Sequence, residues 1–147
     1  MMRLAGILAA AIAVALSAGP AMAWDEPARG SQTRKDLMNA IRPLAEGFHG
    51  PPLLFVVDTL RVAGDVGYGV LLPMRPGGDP RRFEDAYIAD NDVDMRTFSG
   101  TGINVVYARQ GARWRVVDWS AVTNDVWWVE YCGTHRAVMP NICAYAD

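Results

Sequence analysis

The chain has 147 residues, 51% of them hydrophobic, and a formal net charge of −2. This length allows one domain with a substantial core but is short for two. The near-neutral charge gives no indication of binding to nucleic acid or to an anionic membrane surface.

The first 23 residues have the pattern of a secretory signal peptide. Arg3 supplies the positive start, residues 4–18 form an apolar run, and a small-residue motif ends at Ala23. The run is shorter than the roughly 20 residues that span a bilayer. The pattern predicts cleavage before Trp24, no permanent membrane anchor, and an exported protein, periplasmic or extracellular. Loss of Arg3 takes the net charge from −2 to −3.

The mature chain is predicted to begin with a flexible leader, residues 24–30, followed by a single domain, residues 31–147. Ser31 has the chemistry of a helix N-cap. Apolar residues then recur at spacings of three and four, which predicts an amphipathic helix that ends near Gly47; they are Leu37, Ile41, Leu44 and Ala45. Pro43 lies inside this pattern and is expected to kink the helix or end it early.

Two β-hairpins are predicted after the helix. The first turns at Gly64, and its strands "PPLLFVVDTLRV" and "VGYGVLLPM" are rich in β-branched residues. Alternation places Val56, Leu60 and Val62 on one face of its first strand. The second hairpin turns at Gly111. One helix before two hairpins predicts an α+β fold, in which the helix packs on a curved antiparallel sheet of about four strands.

The connection between the hairpins, residues 79–102, carries the acidic stretch "ADNDVDM". Its aspartates alternate as at the start of a calcium loop; they are Asp90, Asp92 and Asp94. The loop needs glycine at position 6 and glutamate at position 12, where this chain has Met95 and Thr101. We therefore interpret the stretch as a solvated acidic loop, keep calcium as an alternative, and expect no resident metal or cofactor.

The C-terminal part contains the only two cysteines, Cys132 and Cys143, and an exported destination predicts a disulfide between them. Two alternatives stay open, namely free thiols and a zinc site that adds His135 as a third ligand. The preceding "VWWVEY" has helix-capping residues at both ends, from Thr123 before it to Gly133 after it. It is predicted to be a short helix, with a fifth strand as the alternative.

Three stretches taken together resemble a family of small exported bacterial proteins of unknown function: "RKDLMNAIRPLAE", "FVVDTLRVAGDVGYGVLLP" and "WRVVDWSAVTNDVWWVEY". In that family a helix precedes two hairpins and a terminal T-x-D-V-x-W segment, and the resemblance covers roughly half of the mature chain. It implies a domain similar to the curved-sheet α+β folds of the nuclear-transport-factor or cystatin kind. It implies no catalytic residue.

Two carboxylates are candidate catalytic groups. Asp58 lies in phase with Val56, and Asp118 lies in phase with Trp114. If both project into a concave sheet face, one of them can act as a general acid or base of a small hydrolase or lyase. The alternative is that each lies at a strand end or pairs with a neighbouring arginine.

Aromatic residues concentrated near the C-terminus are the candidate binding surface. The candidate binding residues are Trp127, Trp128, Tyr131 and Arg136. Tryptophan beside arginine suits a protein or glycan partner, although such residues also pack in cores. The favoured function is a non-enzymatic binding or accessory domain of the cell envelope. The carboxylate enzyme is the alternative, and a purely structural envelope protein is a third possibility.

The calcium alternative is tested by calorimetry on the purified mature protein. Because the loop lacks the turn glycine and the bidentate glutamate, we expect no calcium binding tighter than about millimolar, the weak end for extracellular sites. A dissociation constant in the micromolar range would contradict the acidic-loop interpretation.

Overall fold

A computed structural model describes residues 23–78, 102–121 and 126–146. The predicted signal peptide except Ala23, the acidic stretch "ADNDVDM" and the capping residues 123–125 lie outside the described residues. The described part contains the α+β fold predicted from the sequence. Its elements are α1 (Gln32–His49), β1 (Leu54–Ala63), β2 (Val66–Met74), β3 (Ile103–Gln110), β4 (Arg113–Ser120), a 3₁₀ helix (Trp127–Tyr131), α2 (Cys132–His135) and α3 (Pro140–Cys143).

The four strands form one antiparallel sheet in the order β1-β2-β3-β4. Sequential order follows from the two hairpin turns, at Gly64 and Gly111, whose positive φ angles of 57° and 61° suit glycine. The first and last strands are therefore the two edges of the sheet. Within the described ranges no helix is long and apolar enough to cross a membrane.

Helix α1 is capped at both ends. The Ser31 hydroxyl accepts the N–H of Arg34 at 3.3 Å, and the N–H of Gly50, with φ of 80°, donates to the Glu46 carbonyl at 2.8 Å. The predicted end near Gly47 is thus close to the observed one. Pro43 is exposed and does not end the helix, which continues to His49 because the caps and the buried stripe hold it on both sides.

The buried stripe of α1 packs over β4 and β3, at one side of the sheet, whereas Leu44, which was predicted to belong to the stripe, is 42% exposed. Its buried residues are Leu37, Ile41 and Ala45. They form one core cluster with Leu53, Leu60, Leu71, Ile103, Val105 and Tyr107. The off-centre position leaves β1, at the other edge, less covered: Phe55 and Val57 only partly bury their side chains against this core.

A β-bulge changes the faces of β1. The pairing with β2 shifts between Val57 and Thr59, so Asp58 is the extra residue. One added residue reverses the alternation on one side of the bulge. Phe55 and Val57 therefore face the helix together with Leu60, while Val56 is 43% exposed. The prediction that Val56 shares a face with Leu60 is wrong for this reason.

A second bulge does the same in β4. Tyr107 pairs with Val116 and Val106 pairs with Asp118, which leaves Val117 as the extra residue. Val116 packs on the helix side, whereas Val106 belongs to the core on the other side of the sheet. The predicted common face of Trp114 and Asp118 is therefore wrong, because Trp114 packs on the helix side like Val116 and the bulge turns Asp118 to the side opposite α1.

The C-terminal segment covers that opposite side and forms a second core cluster. Its buried members are Tyr68, Val106, Cys132, Val138, Met139 and Cys143. The predicted disulfide between Cys132 and Cys143 is confirmed, with Cα atoms 5.5 Å apart. The bridge uses both sulfurs, so the thiolates of the alternative zinc site are consumed. The predicted short helix is also confirmed, although it starts as 3₁₀ and runs through Gly133 to His135.

His135 fastens this C-terminal layer to the sheet. The side chain is 4% exposed, and its Nε2 lies 2.9 Å from the Tyr107 carbonyl oxygen. A carbonyl only accepts, so Nε2 carries the proton, and Nδ1 meets the Thr134 hydroxyl at 2.8 Å. The histidine is therefore a structural cross-link between the C-terminal layer and β3.

Tyr107 and Tyr68 form a matched pair for a stability test. The Tyr107 hydroxyl is buried without a hydrogen-bond partner, whereas the Tyr68 hydroxyl donates to Asn104 at 3.0 Å. Tyr107→Phe removes a desolvated, unsatisfied group and is expected to leave stability unchanged or to raise it by up to about 1 kcal/mol, while Tyr68→Phe is expected to cost about 1 kcal/mol. Urea unfolding measures both. A larger loss for Tyr107→Phe than for Tyr68→Phe would contradict the assignment.

Candidate functional site

The candidate site is a groove between α1 and the edge strand β1, which we call the arginine groove. It exists because α1 lies over β4 and β3, so that open space remains between the helix and β1. The volume is about 470 Å³, within the usual range of about 300–1,000 Å³ for ligand sites. Its lining residues are Arg29, Arg34, Met38, Arg42, Leu54, Phe55, Val56, Val57 and Met74.

One side of α1 forms the wall of the groove. Arg34, Met38 and Arg42 follow one another at a spacing of four residues, so they form a row along three successive turns. This row lies beside the buried stripe of Leu37 and Ile41. Burial of the stripe against the sheet therefore fixes which way the row points.

Arg42 is the most firmly held of the three arginines. Its Nη1 donates to the Leu53 carbonyl and lies 3.7 Å from the Glu46 carboxylate, and its guanidinium lies over the Phe55 ring at 5.1 Å. Glu46 also accepts the N–H of Leu53 at 3.2 Å. These contacts join the end of α1 to the start of β1 and fix the width of the groove.

Arg34 and Arg29 make fewer contacts with the described residues than Arg42 does. Arg34 donates to the Pro27 carbonyl at 3.3 Å, which ties the leader to α1 but leaves the guanidinium without a carboxylate. Arg29 is exposed in the turn before α1, and within the described ranges it has no ion pair. Both keep donors directed to solvent or to a ligand.

The floor of the groove is apolar and its wall is positive. Phe55, Val57 and Met38 are half-buried, and Leu54 and Val56 border it with 46% and 43% of their surface exposed. Among the described residues, the lining contains three guanidiniums and no carboxylate, although the whole chain is slightly acidic. Such an arrangement favours an anion that carries apolar groups.

The two candidate catalytic aspartates are far apart. Asp58 is exposed on β1 and accepts the Thr59 hydroxyl at 3.1 Å, while Asp118 lies on β4. The strands are separated by three spacings of about 4.8 Å, or roughly 14 Å. Neither aspartate lines the arginine groove.

Asp118 is engaged in structural hydrogen bonds. Its carboxylate accepts the Tyr131 hydroxyl at 2.9 Å and the Trp119 N–H at 2.8 Å. Desolvation, followed by the hydrogen bond to Asp118, raises the pKa of Tyr131, so the phenol remains a donor at neutral pH. The pair joins β4 to the 3₁₀ helix, and both oxygens of the carboxylate are occupied.

The candidate aromatic binding residues lie together but are largely used in packing. Trp127 and Trp128 are half-buried against the second core, and the Trp127 and Tyr131 rings meet edge to face at 5.7 Å. Arg136 is exposed and donates to the Cys143 carbonyl at 3.4 Å. Within the described residues, the two tryptophans and Tyr131 therefore contribute to the packing of the second core, and Arg136 stays at the surface.

His49 ends α1 beside Arg75. The guanidinium of Arg75 donates to the carbonyls of His49, Gly50 and Pro52 and closes the connection from α1 to β1. Burial, with a further contribution from the Arg75 charge, lowers the pKa of His49 to about 4. The fold therefore holds this imidazole neutral at neutral pH.

The sequence analysis did not identify the arginine groove. The spacing of Arg34, Met38 and Arg42 is visible in the sequence and indicates a row on one side of α1. The missing information was tertiary, namely which strand lies beside that row.

Comparison of the chain with known protein families, with curated proteins and with solved structures finds no match.

His49 gives a pH test of the fold. Its folded pKa of about 4 lies below the unfolded value near 6.5, so between these values the unfolded chain binds a proton that the folded chain does not. The resulting stability is present above pH 6.5 and is lost as the pH falls toward 4. We expect His49→Gln to reduce the drop in urea midpoint between pH 7.5 and pH 5. Carboxylates titrate in both proteins, and an equal drop in both would contradict the assignment.

Proposed function

We propose that this chain is an exported, non-enzymatic binding domain of the cell envelope, and that the arginine groove is its binding site for an anionic partner. The observation that carries the proposal is the lining that the described residues give the groove, with three guanidiniums, an apolar floor and no carboxylate. The partner we propose is a protein or a glycan of the envelope.

The chemistry of arginine supports an anionic partner. A guanidinium offers a planar set of donors that matches a carboxylate or a phosphate, and it remains charged at every physiological pH. Arg42 is already oriented by Leu53 and Phe55, so part of the ordering cost of binding is met in the free protein. Phe55 and Met38 supply apolar area beneath the charges.

The contacts of the aspartates weigh against the alternative of a carboxylate hydrolase or lyase. A general base must lie within hydrogen-bond reach of the substrate, and the hydrogen bonds from Tyr131 and Trp119 hold the Asp118 carboxylate in the link between β4 and the 3₁₀ helix. Asp58 is exposed at a bulge and lies outside the groove. A binding function needs none of these groups.

Export to an oxidising compartment is part of the same proposal. The signal-like pattern of residues 1–23 and the resemblance to small exported bacterial proteins support it. The disulfide between Cys132 and Cys143 is consistent with such a compartment.

The proposal is tested with a hexaglutamate peptide and two double variants of equal charge. Arg29→Gln/Arg34→Gln removes two charges from the groove and is expected to weaken binding about tenfold, or about 1.4 kcal/mol. Arg113→Gln/Arg115→Gln removes two exposed charges from β4 and is expected to change it less than about twofold, since exposed, distant charges are screened. Calorimetry measures both.

Urea unfolding of both double variants checks that the fold is retained. Equal losses of affinity in the two variants would show that peptide binding depends only on total charge, and the groove would then not be the site.

A further inference from the structure

We infer that the occupant of the arginine groove is an extended acidic polypeptide that adds to β1 as a fifth strand. This inference rests on the proposed function and specifies its partner. It depends on three features of the described residues: the outer edge of β1, the row of arginines on α1, and the charge of the groove.

The outer edge of β1 is able to pair with another strand. At one end it already does so, because the N–H of Asp25 donates to the Val62 carbonyl at 2.8 Å and the N–H of Val62 donates to the Asp25 carbonyl at 2.9 Å. This pairing is a single antiparallel bridge. The bulge at Asp58 then interrupts the edge.

On the other side of the bulge the edge is open. Over Leu54–Val57 the only strand paired with β1, within the described ranges, is β2 on its inner side. The same four residues line the arginine groove. A segment lying in the groove therefore meets backbone N–H and C=O groups that no other described strand pairs with, which is the geometry of strand addition to a sheet edge.

The repeat of a strand matches the spacing of the arginines. Arg34 and Arg42 are eight residues apart in α1, which corresponds to about 12 Å at 1.5 Å per residue. In a strand, residues i and i+4 lie on one face about 13 Å apart. Because three turns of α1 and four residues of β1 line the same groove, the two elements run beside each other.

This spacing defines the pattern of the ligand. Acidic residues at i and i+4 of the added strand meet Arg34 and Arg42, and the residue at i+2 meets Met38 between them. The residue at i+2 is therefore apolar. The pattern acid-x-apolar-x-acid follows from the alternation of the strand and the four-residue repeat of the helix row.

Charge argues against a second copy of this chain as the occupant. Pairing of two β1 edges would gather the three arginines of each groove along one seam, and like charges at close range repel. An acidic strand instead neutralises them. We therefore assign the open edge to a different, acidic polypeptide.

The test uses the intact mature protein and four synthetic heptapeptides. The parent peptide is Thr-Glu-Thr-Val-Thr-Glu-Thr. Two others have its sequence with N-methyl groups on the odd or on the even residues, and the fourth has the same composition with its two glutamates adjacent. Only alternate N–H groups of an added strand face β1, so one methylated peptide is expected to lose at least tenfold in affinity while the other binds like the parent. The peptide with adjacent glutamates places them on opposite faces and is expected to bind more weakly than the parent.

Hydrogen exchange supplies a second readout that needs no substitution. The parent peptide is expected to slow exchange of outward-facing amides within residues 54–57, because they become bonded to the added strand. Equal binding of all four peptides, weakened by Arg29→Gln/Arg34→Gln, would overturn strand addition and leave the anion-binding function in place. Absence of any binding sensitive to that double variant would overturn both.

Three further outcomes overturn the inference. They are binding to phosphatidylglycerol vesicles without peptide binding, binding to a sulfated oligosaccharide without peptide binding, and a dimer in sedimentation whose formation protects residues 54–57. Each would assign the open edge or the groove to a different occupant.

Discussion

The burial of one helix stripe against one side of the sheet is the contact on which the other features depend. Leu37, Ile41 and Ala45 are fully buried over β4 and β3. Because this stripe packs over β4 and β3, α1 leaves a groove beside the β1 edge. The same orientation directs the arginine row toward β1, so the core contact determines where the charge of the helix lies.

A second set of contacts places the sheet between α1 on one side and the C-terminal segment on the other. The disulfide between Cys132 and Cys143 closes the C-terminal segment, and the hydrogen bonds of His135 to β3 and of Tyr131 to β4 fasten it to the sheet. Burial on both faces holds β2 and β3 between the two cores, and β1 is held by its pairing with β2. An edge that is held in this way offers its backbone to a partner at a lower ordering cost than a mobile segment would.

The sequence was sufficient to predict the helix and the hairpins, but it was insufficient to predict which side of the sheet the residues of β1 and β4 face. Period and capping identified α1, and the turn glycines Gly64 and Gly111 identified both hairpins, because these signals are local. No glycine or proline marks the bulges at Asp58 and Val117 in the sequence. Simple alternation therefore assigned Val56 and Asp118 to the wrong sides of the sheet. The arginine groove escaped for a related reason, since it requires the position of α1 across the sheet, which no local pattern contains.

The burial of the disulfide has a kinetic consequence. Cys143 is fully buried and Cys132 is 5% exposed, so a small thiol reaches the sulfurs only after the C-terminal layer detaches locally from the sheet. The rate of reduction in the native protein is then set by that detachment as well as by the reagent. The rate at which the disulfide is reduced therefore measures how often the side of the sheet opposite α1 becomes exposed while the rest of the domain stays folded.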